Sequence, residues 1–486
     1  MENIKLIRLL RQLSESEIAA FKDFINSPYH NKNKKIALFF QDLVKFGLNT
    51  NDVPDKALVQ KIAPSEKYKG SRLQDIMYRL INLLEDFLAE EKYRQNSFQR
   101  KINLMLIAYE KEMEPMIPGI EKDIELVHGK NPVRDSNYFY ESFMIYSERD
   151  YSFRLLGKIS DNDNLQNKAD HLDLFYLASK LKDSCEMLNR SNIVSVKYGF
   201  KMLDSIIEYL LENPDQYINH PAINIYLNIY LMLSNEAHEK YFLELIKLAK
   251  LNEPCFSGDE LRSIYAYQQN YCIRQINLGN TWYYEHLFEI YKHILANGLV
   301  FDDNKNMQWD FKNFVSLGLR LKEYSWTLEM INAFKEKLPA HIRQNAYTYN
   351  LANYYYETGE YKKATKLLNS VDFTDIYYNL DSKAMLLKIY YTVGEEESLY
   401  ALVSSFGIYI RRNKLISDDL AEIYENLVRY TKKAFVLKNK LPYQRQRDYY
   451  KKVDTLEQKI KETKKIINIS WLLEEVEKLN DNDRMN

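Results

Sequence analysis

The chain has 486 residues, 46% hydrophobic and 28% charged, with Lys+Arg 67 against Asp+Glu 68. That balance excludes a disordered polyelectrolyte, and the apolar fraction supports a sizeable core. Only 13 Gly and 11 Pro occur, well below the average usage of roughly 7% and 5%. This argues against many-stranded β architectures and leaves little material for glycine-rich phosphate loops.

The opening, MENIKLIRLLRQLSESE, carries charge in every turn and has no apolar signal-peptide core, so export is not expected. Ser14 followed by Glu17 forms a capping box, with Leu13 and Ile18 as its hydrophobic staple. The helix this starts puts Ile18, Phe21, Phe24 and Ile25 on one face and stops at Ser27-Pro28. A second helix is expected near Lys34–Phe46, and a third opens at Asp52-Val53-Pro54. After Lys69-Gly70-Ser71 comes an amphipathic helix with Ile76, Leu80, Leu83, Leu84 and Phe87. Residues 1–95 therefore read as a small N-terminal helical domain.

From about residue 98 the 3.6-residue period continues, broken near 129–132, 161–164, 213–215 and 252–258. The most apolar run, Ile223–Leu233, is interrupted by Asn224 and Asn228. It falls well short of the about 20 residues a membrane span needs, so it reads as a buried helix. Helix pairs joined by short loops are the unit of an α-solenoid.

A repeat emerges over 311–406. The run Leu351-Ala352-Asn353-Tyr354-Tyr355-Tyr356, the turn Thr358-Gly359-Glu360, and Tyr361, Ala364, Leu367 and Leu368 resemble a tetratricopeptide (TPR) unit. A looser copy follows, with Leu386, Leu387, Tyr390, Gly394, Leu399 and Val403. One precedes it, with Leu317-Gly318, Leu321, Ser325, Met330 and Phe334. Turns at 325, 359 and 394 give steps close to the family's 34 residues. The whole chain also resembles a group of bacterial helical-repeat proteins that brings no activity with it. That resemblance rests on Leu13-Ser14 through Tyr29, Lys312-Asn313-Phe314 with Trp326, Lys388-Ile389-Tyr390-Tyr391, Phe406 and Arg411-Arg412-Asn413-Lys414. The expected fold is all-α: a TPR-like solenoid over 96–430, behind the 1–95 domain and ahead of a basic C-terminal capping helix in 431–486.

The TPR resemblance implies a concave partner-binding face. Counted from Leu351-Ala352, its positions fall on Tyr349, Asn353 and Tyr356, then Ala384, Lys388 and Tyr391, and upstream Val315, Leu319 and Lys322. The groove candidates are Tyr349, Asn353, Tyr356, Lys388, Tyr391 and Lys322. The carboxylate clamp of some relatives is not expected, because only Asn350 among Val315, Leu319, Asn350, Asp381 and Met385 suits it.

Catalytic signatures are missing from the sequence. His286 and His293 lie two helical turns apart and cannot share one metal on a continuous helix. No phosphate loop, dinucleotide fingerprint or nucleophile elbow occurs. Carboxylate groups such as Glu395-Glu396-Glu397 read as solvated charge. Cys185, Cys255 and Cys272 form no C-x-x-C pair, which suits a reduced, cytoplasmic compartment. No enzyme activity, metal or cofactor is expected. Residues 431–465 hold 12 Lys/Arg and 4 Asp/Glu, so net +8 against −9 for the remainder. Lys451, Lys452, Lys464 and Lys465 are the candidate phosphate contacts there. The favoured expectation is a cytoplasmic, non-membrane scaffold or adaptor for a protein or peptide; the alternative is a nucleic-acid-associated regulator.

Overall fold

In the computed structural model of the chain, residues 2–48, 73–155, 163–193, 196–234, 238–300, 307–370, 375–440 and 446–481 are described. Among them lie 23 α-helices and no strand, so the fold is all-α. The expected helix at Asp52-Val53-Pro54 lies outside the described residues. By contacts the chain divides into one unit of Met1–Tyr241 with Leu251–Ser257 and a second of Phe242–Lys250 with Gly258–Asn486.

The first unit opens with α1 (Glu2–Leu10), α2 (Glu15–Asn26), α3 (Lys34–Lys45) and α4 (Leu73–Gln95). The capping box is present: the Glu17 N–H donates to Ser14 Oγ at 3.2 Å, and the Ser14 N–H donates to Glu17 Oε2 at 2.7 Å. Ile18, Phe21, Phe24 and Ile25 of α2 are all buried, with Phe40 and Phe87 packed 5.1 and 5.2 Å from Phe21. This cluster ends at Phe87, and the next begins at Phe98. The second cluster is shared by α5 (Ser97–Glu110), α6 (Ile117–Gly129) and α7 (Ser136–Leu155). Then follow α8 (Asn164–Ile193), α9 (Leu203–Glu212), α10 (Pro214–Tyr217), α11 (Pro221–Ser234) and α12 (His238–Leu251), the last divided between the two units. The apolar run predicted to be a buried helix is α11, where Ile223, Ile225 and Ile229 are fully buried. Among the described residues no helix is long and apolar enough to cross a membrane.

The second unit holds α13 (Gly258–Asn277), α14 (Tyr283–Ala296), α15 (Met307–Arg320), α16 (Tyr324–Phe334), α17 (Ala340–Glu357), α18 (Tyr361–Asn369), α19 (Ile376–Val393), α20 (Glu396–Arg412), α21 (Asp418–Lys440), α22 (Gln446–Glu462) and α23 (Ile469–Asp481). Each helix packs on the next, and α15, α17 and α19 also lie side by side. Small residues let the paired helices close: Ala352 of α17 and Ala364 of α18 are fully buried. Gly318 of α15 does the same against α16, where a Cβ would run into Thr327 Oγ1 and the Trp326 ring.

The helix ends share one closure. Lys322, Gly359 and Gly394 take the left-handed conformation, with φ of 61°, 78° and 84°. The next residue, Glu323, Glu360 or Glu395, donates its N–H back to Gly318 O, Tyr355 O or Tyr390 O at 2.9, 2.8 and 3.0 Å. This is the Schellman arrangement, which satisfies otherwise orphaned carbonyls. The turn expected at Ser325 is therefore at Lys322, and Ser325 lies inside α16. The sequence count drifted because Lys322 fills a place where glycine is usual.

Two stability outcomes follow. Lys322→Gly relieves a left-handed Cβ and should raise stability by about 0.5–1 kcal/mol. Gly318→Ala should lower it by about 1–3 kcal/mol, because Thr327 Oγ1 is tied to Glu323 O at 2.7 Å and cannot swing away. Urea titrations of the two variants should move in opposite directions.

Acid should loosen the first unit. Burial pushes His128 and His220 below the ordinary histidine value of 6.5, so both are neutral in the native state. Unfolding lets them take up protons, so their contribution is full above about pH 6.5 and drains away as the pH falls below it. The protection factors of the α6 and α7 amides, which are their base-catalysed intrinsic rates divided by the observed exchange rates, should fall as the pH drops below about 6.5, and His128→Asn with His220→Asn should flatten that fall. Unchanged protection there would refute the assignment.

Candidate functional site

The closing turns fix which side chains of α13, α15, α17 and α19 face a common groove of about 730 Å³. Counting back from the left-handed residue, the tenth, sixth and third positions recur along it. In α15 these are Lys312, Ser316 and Leu319; in α17 the first two are Tyr349 and Asn353; in α19 they are Ala384 and Lys388. From α13, which ends at left-handed Gly279, come Ile273 and Ile276.

One ion pair braces the wall. Lys312 Nζ pairs with Asp381 Oδ2, linking α15 to α19, and the Tyr424 hydroxyl donates to Asp381 Oδ1 at 2.6 Å. Lys312 also lies 5.4 Å from the Tyr349 ring and 5.6 Å from Trp309. The pair sits largely out of solvent, with side-chain exposures of 25% and 13%.

Two other cations differ. Arg320 lies 4.4 Å over the Tyr284 ring, and Lys388 lies 4.4 Å over Tyr356 and 5.7 Å over Trp471. Among the described residues neither has a carboxylate oxygen within the 4.0 Å of an ion pair. Burial holds the Lys388 ammonium below its ordinary value, opposed by the more distant charges of Glu357 and Glu474. Aromatic faces attract a cation without neutralising it. Both cations therefore line the groove without a direct ion pair, in company with the amides of Asn313 and Asn353 and the carboxylate of Glu357.

The far end of the groove is closed by the chain's own C-terminal segment. Ile467 and left-handed Asn468 (φ 55°) line it, and the Trp471 ring packs 5.5 Å from Tyr391.

The structure brings Tyr349, Asn353 and Lys388 together along this surface, with Tyr356 half-buried beneath Lys388. Two expected members are corrected. Lys322 is an exposed turn residue, not a groove residue, because it is itself the left-handed closure. Tyr391 is a core residue, 1% exposed and walled in by Phe435 and Trp471. Val315 is likewise core, and Asn350 is fully buried with its amide donating to Ala346 O at 2.8 Å. The three-residue slip at the turn hid Lys312 and Ser316; moving the count onto the Lys-Glu, Gly-Glu and Gly-Glu pairs of the three turns recovers them. Asp381 and Arg320 carried no sequence signal for this role.

The single basic C-terminal helix expected over 431–486 is instead the end of α21, then α22 and α23. Val453, Leu456 and Ile460 of α22 are buried against the unit's own core, together with Leu472 and Val476 of α23. Lys451 and Lys452 are exposed on α22, and Lys464 is exposed just after it. Lys465 is not a free phosphate contact: Asp419 Oδ1 and Glu422 Oε2 hold it at 2.7 and 2.8 Å, which raises its affinity for its proton.

No protein-family model matches the chain, and no curated protein or solved structure matches it either.

Breaking the brace should cost more than an exposed pair. Lys312→Met leaves Asp381 poorly solvated and should destabilise by about 1–3 kcal/mol. Adding Asp381→Leu should restore part of that loss. Urea unfolding followed through tryptophan emission measures both, and equal losses in single and double variants would contradict the brace.

Proposed function

We propose that this chain is a cytoplasmic, non-catalytic adaptor whose TPR-like helical-repeat stack captures an extended segment of a partner protein in the groove of α13, α15, α17 and α19. One observation carries it. Equivalent positions of successive helices converge on a groove where Arg320 and Lys388 rest on aromatic faces without a carboxylate partner among the described residues. An extended segment can offer acidic side chains to those cations and backbone groups to Asn313 and Asn353. The ring of Tyr284, under Arg320, adds rigid contact area at little entropic cost.

The test is capture from nuclease-treated extract by the immobilised full-length protein. Asn353→Ala with Arg320→Ala and Lys388→Ala should abolish retention of the specific partner while helicity stays unchanged. Lys451→Glu with Lys452→Glu should leave retention intact. Partners that survive the groove substitutions would overturn the reading, and capture lost with nuclease treatment alone would point to nucleic acid.

A further inference from the structure

A second cleft, of about 750 Å³, shares no lining residue with the groove and lies between α20, α21 and the turn that leaves α22. Four basic side chains line it, Arg411, Arg429, Lys464 and Lys465, against two acidic ones, Glu422 and Glu425. Glu422 is already committed, with Asp419, to Lys465. Among the described residues, Arg411, Arg429 and Lys464 have no carboxylate within ion-pair distance.

The cations are held in place by neutral groups. Asn426 Nδ2 donates to Lys465 O at 2.7 Å, which pins the turn onto α21, while its Oδ1 accepts from Arg429 Nη2 at 2.6 Å. The Tyr430 hydroxyl lies 2.9 Å from Thr463 Oγ1 and accepts from Arg429 Nη2 at 3.3 Å. These partners orient the Arg429 guanidinium and leave its charge intact. Across the cleft, Gly407 of α20 leaves room for Arg411, whose Nη1 lies 3.4 Å from where a Cβ would stand. Burial pushes the Tyr430 phenol up, yet the Thr463 hydrogen bond and the charges of Arg429 and Lys433 bring it below its ordinary value.

We propose that this cleft binds an anion carrying a phosphate group. Two guanidinium forks and an ammonium exceed what one carboxylate can engage; the Thr463 hydroxyl is already spent on Lys459 O at 2.7 Å. A phosphate brings nearly two charges and three acceptor oxygens, and guanidinium groups match it bidentately. Lys464 is thus the one member of the four candidate phosphate contacts that lines the cleft without a carboxylate partner among the described residues; Arg411 and Arg429 supply the rest. The proposal is independent of the groove.

Calorimetric titration of the full-length protein with pyrophosphate at low ionic strength tests it, with acetate as competitor. Wild type should bind, with affinity falling steeply as salt rises. Arg411→Gln with Arg429→Gln should weaken binding by about tenfold or more. Lys451→Gln with Lys452→Gln should leave it within about twofold, since exposed charges farther off are screened, and circular dichroism should be unchanged in both. No binding at low salt, equal binding by the arginine variant, or equal displacement by acetate would each overturn it.

Discussion

When α15, α17 or α19 ends, the amide two residues past its last full turn reaches back over the helix end to a carbonyl that would otherwise face nothing. That closure needs one residue at positive φ, which Lys322, Gly359 and Gly394 provide. It also sets the angle at which the chain re-enters the next helix. Because each first helix ends the same way, the same positions before the end point the same way, and the groove lining follows from that phase. A helix allowed to run one residue further would turn its whole lining by about 100°, since the period is 3.6 residues per turn. The chemistry of the groove therefore depends on backbone hydrogen bonds that contribute no side chain to it.

The sequence made the helices legible wherever a local rule acts alone. Ser14 and Glu17 cap α2 because their side chains reach only near neighbours, and Ile18, Phe21, Phe24 and Ile25 share a face by period alone. Phase within α17 and α19 was legible for the same reason, since Gly359 and Gly394 mark the ends. It failed in α15, where a lysine takes the left-handed place and the count slipped onto Ser325. Tyr391 escaped the reading for a different cause. Its position matches a groove residue, but α23 covers it from far along the chain, and no local pattern encodes that contact. The link between Lys312 and Asp381 across α15 and α19 is hidden in the same way.

Charge in the second unit is sorted by partner type. Lys312 and Lys465 each meet carboxylates and serve packing. Arg320, Lys388 and Arg429 meet rings, amides or hydroxyls, which fix direction and leave charge available. The net charge of −1 conceals this completely. Counting basic residues along 431–465 located the excess but not its use, because two of the four cations lining the cleft, Arg411 of α20 and Arg429 of α21, lie outside that segment.

The packing of Trp471 beside Lys388 has an optical consequence. Indole emission shifts when a nearby positive charge is neutralised or moved, since the excited state has a large, oriented dipole. Trp471 is half-buried with that ammonium 5.7 Å from its ring; Trp309 has the Lys312 ammonium 5.6 Å away, but that charge is already paired with Asp381, and Trp326 sits edge-on to Phe288. Of the protein's four tryptophans, Trp471 thus stands beside an ammonium without a direct ion pair among the described residues, so its emission should respond to neutralisation of Lys388.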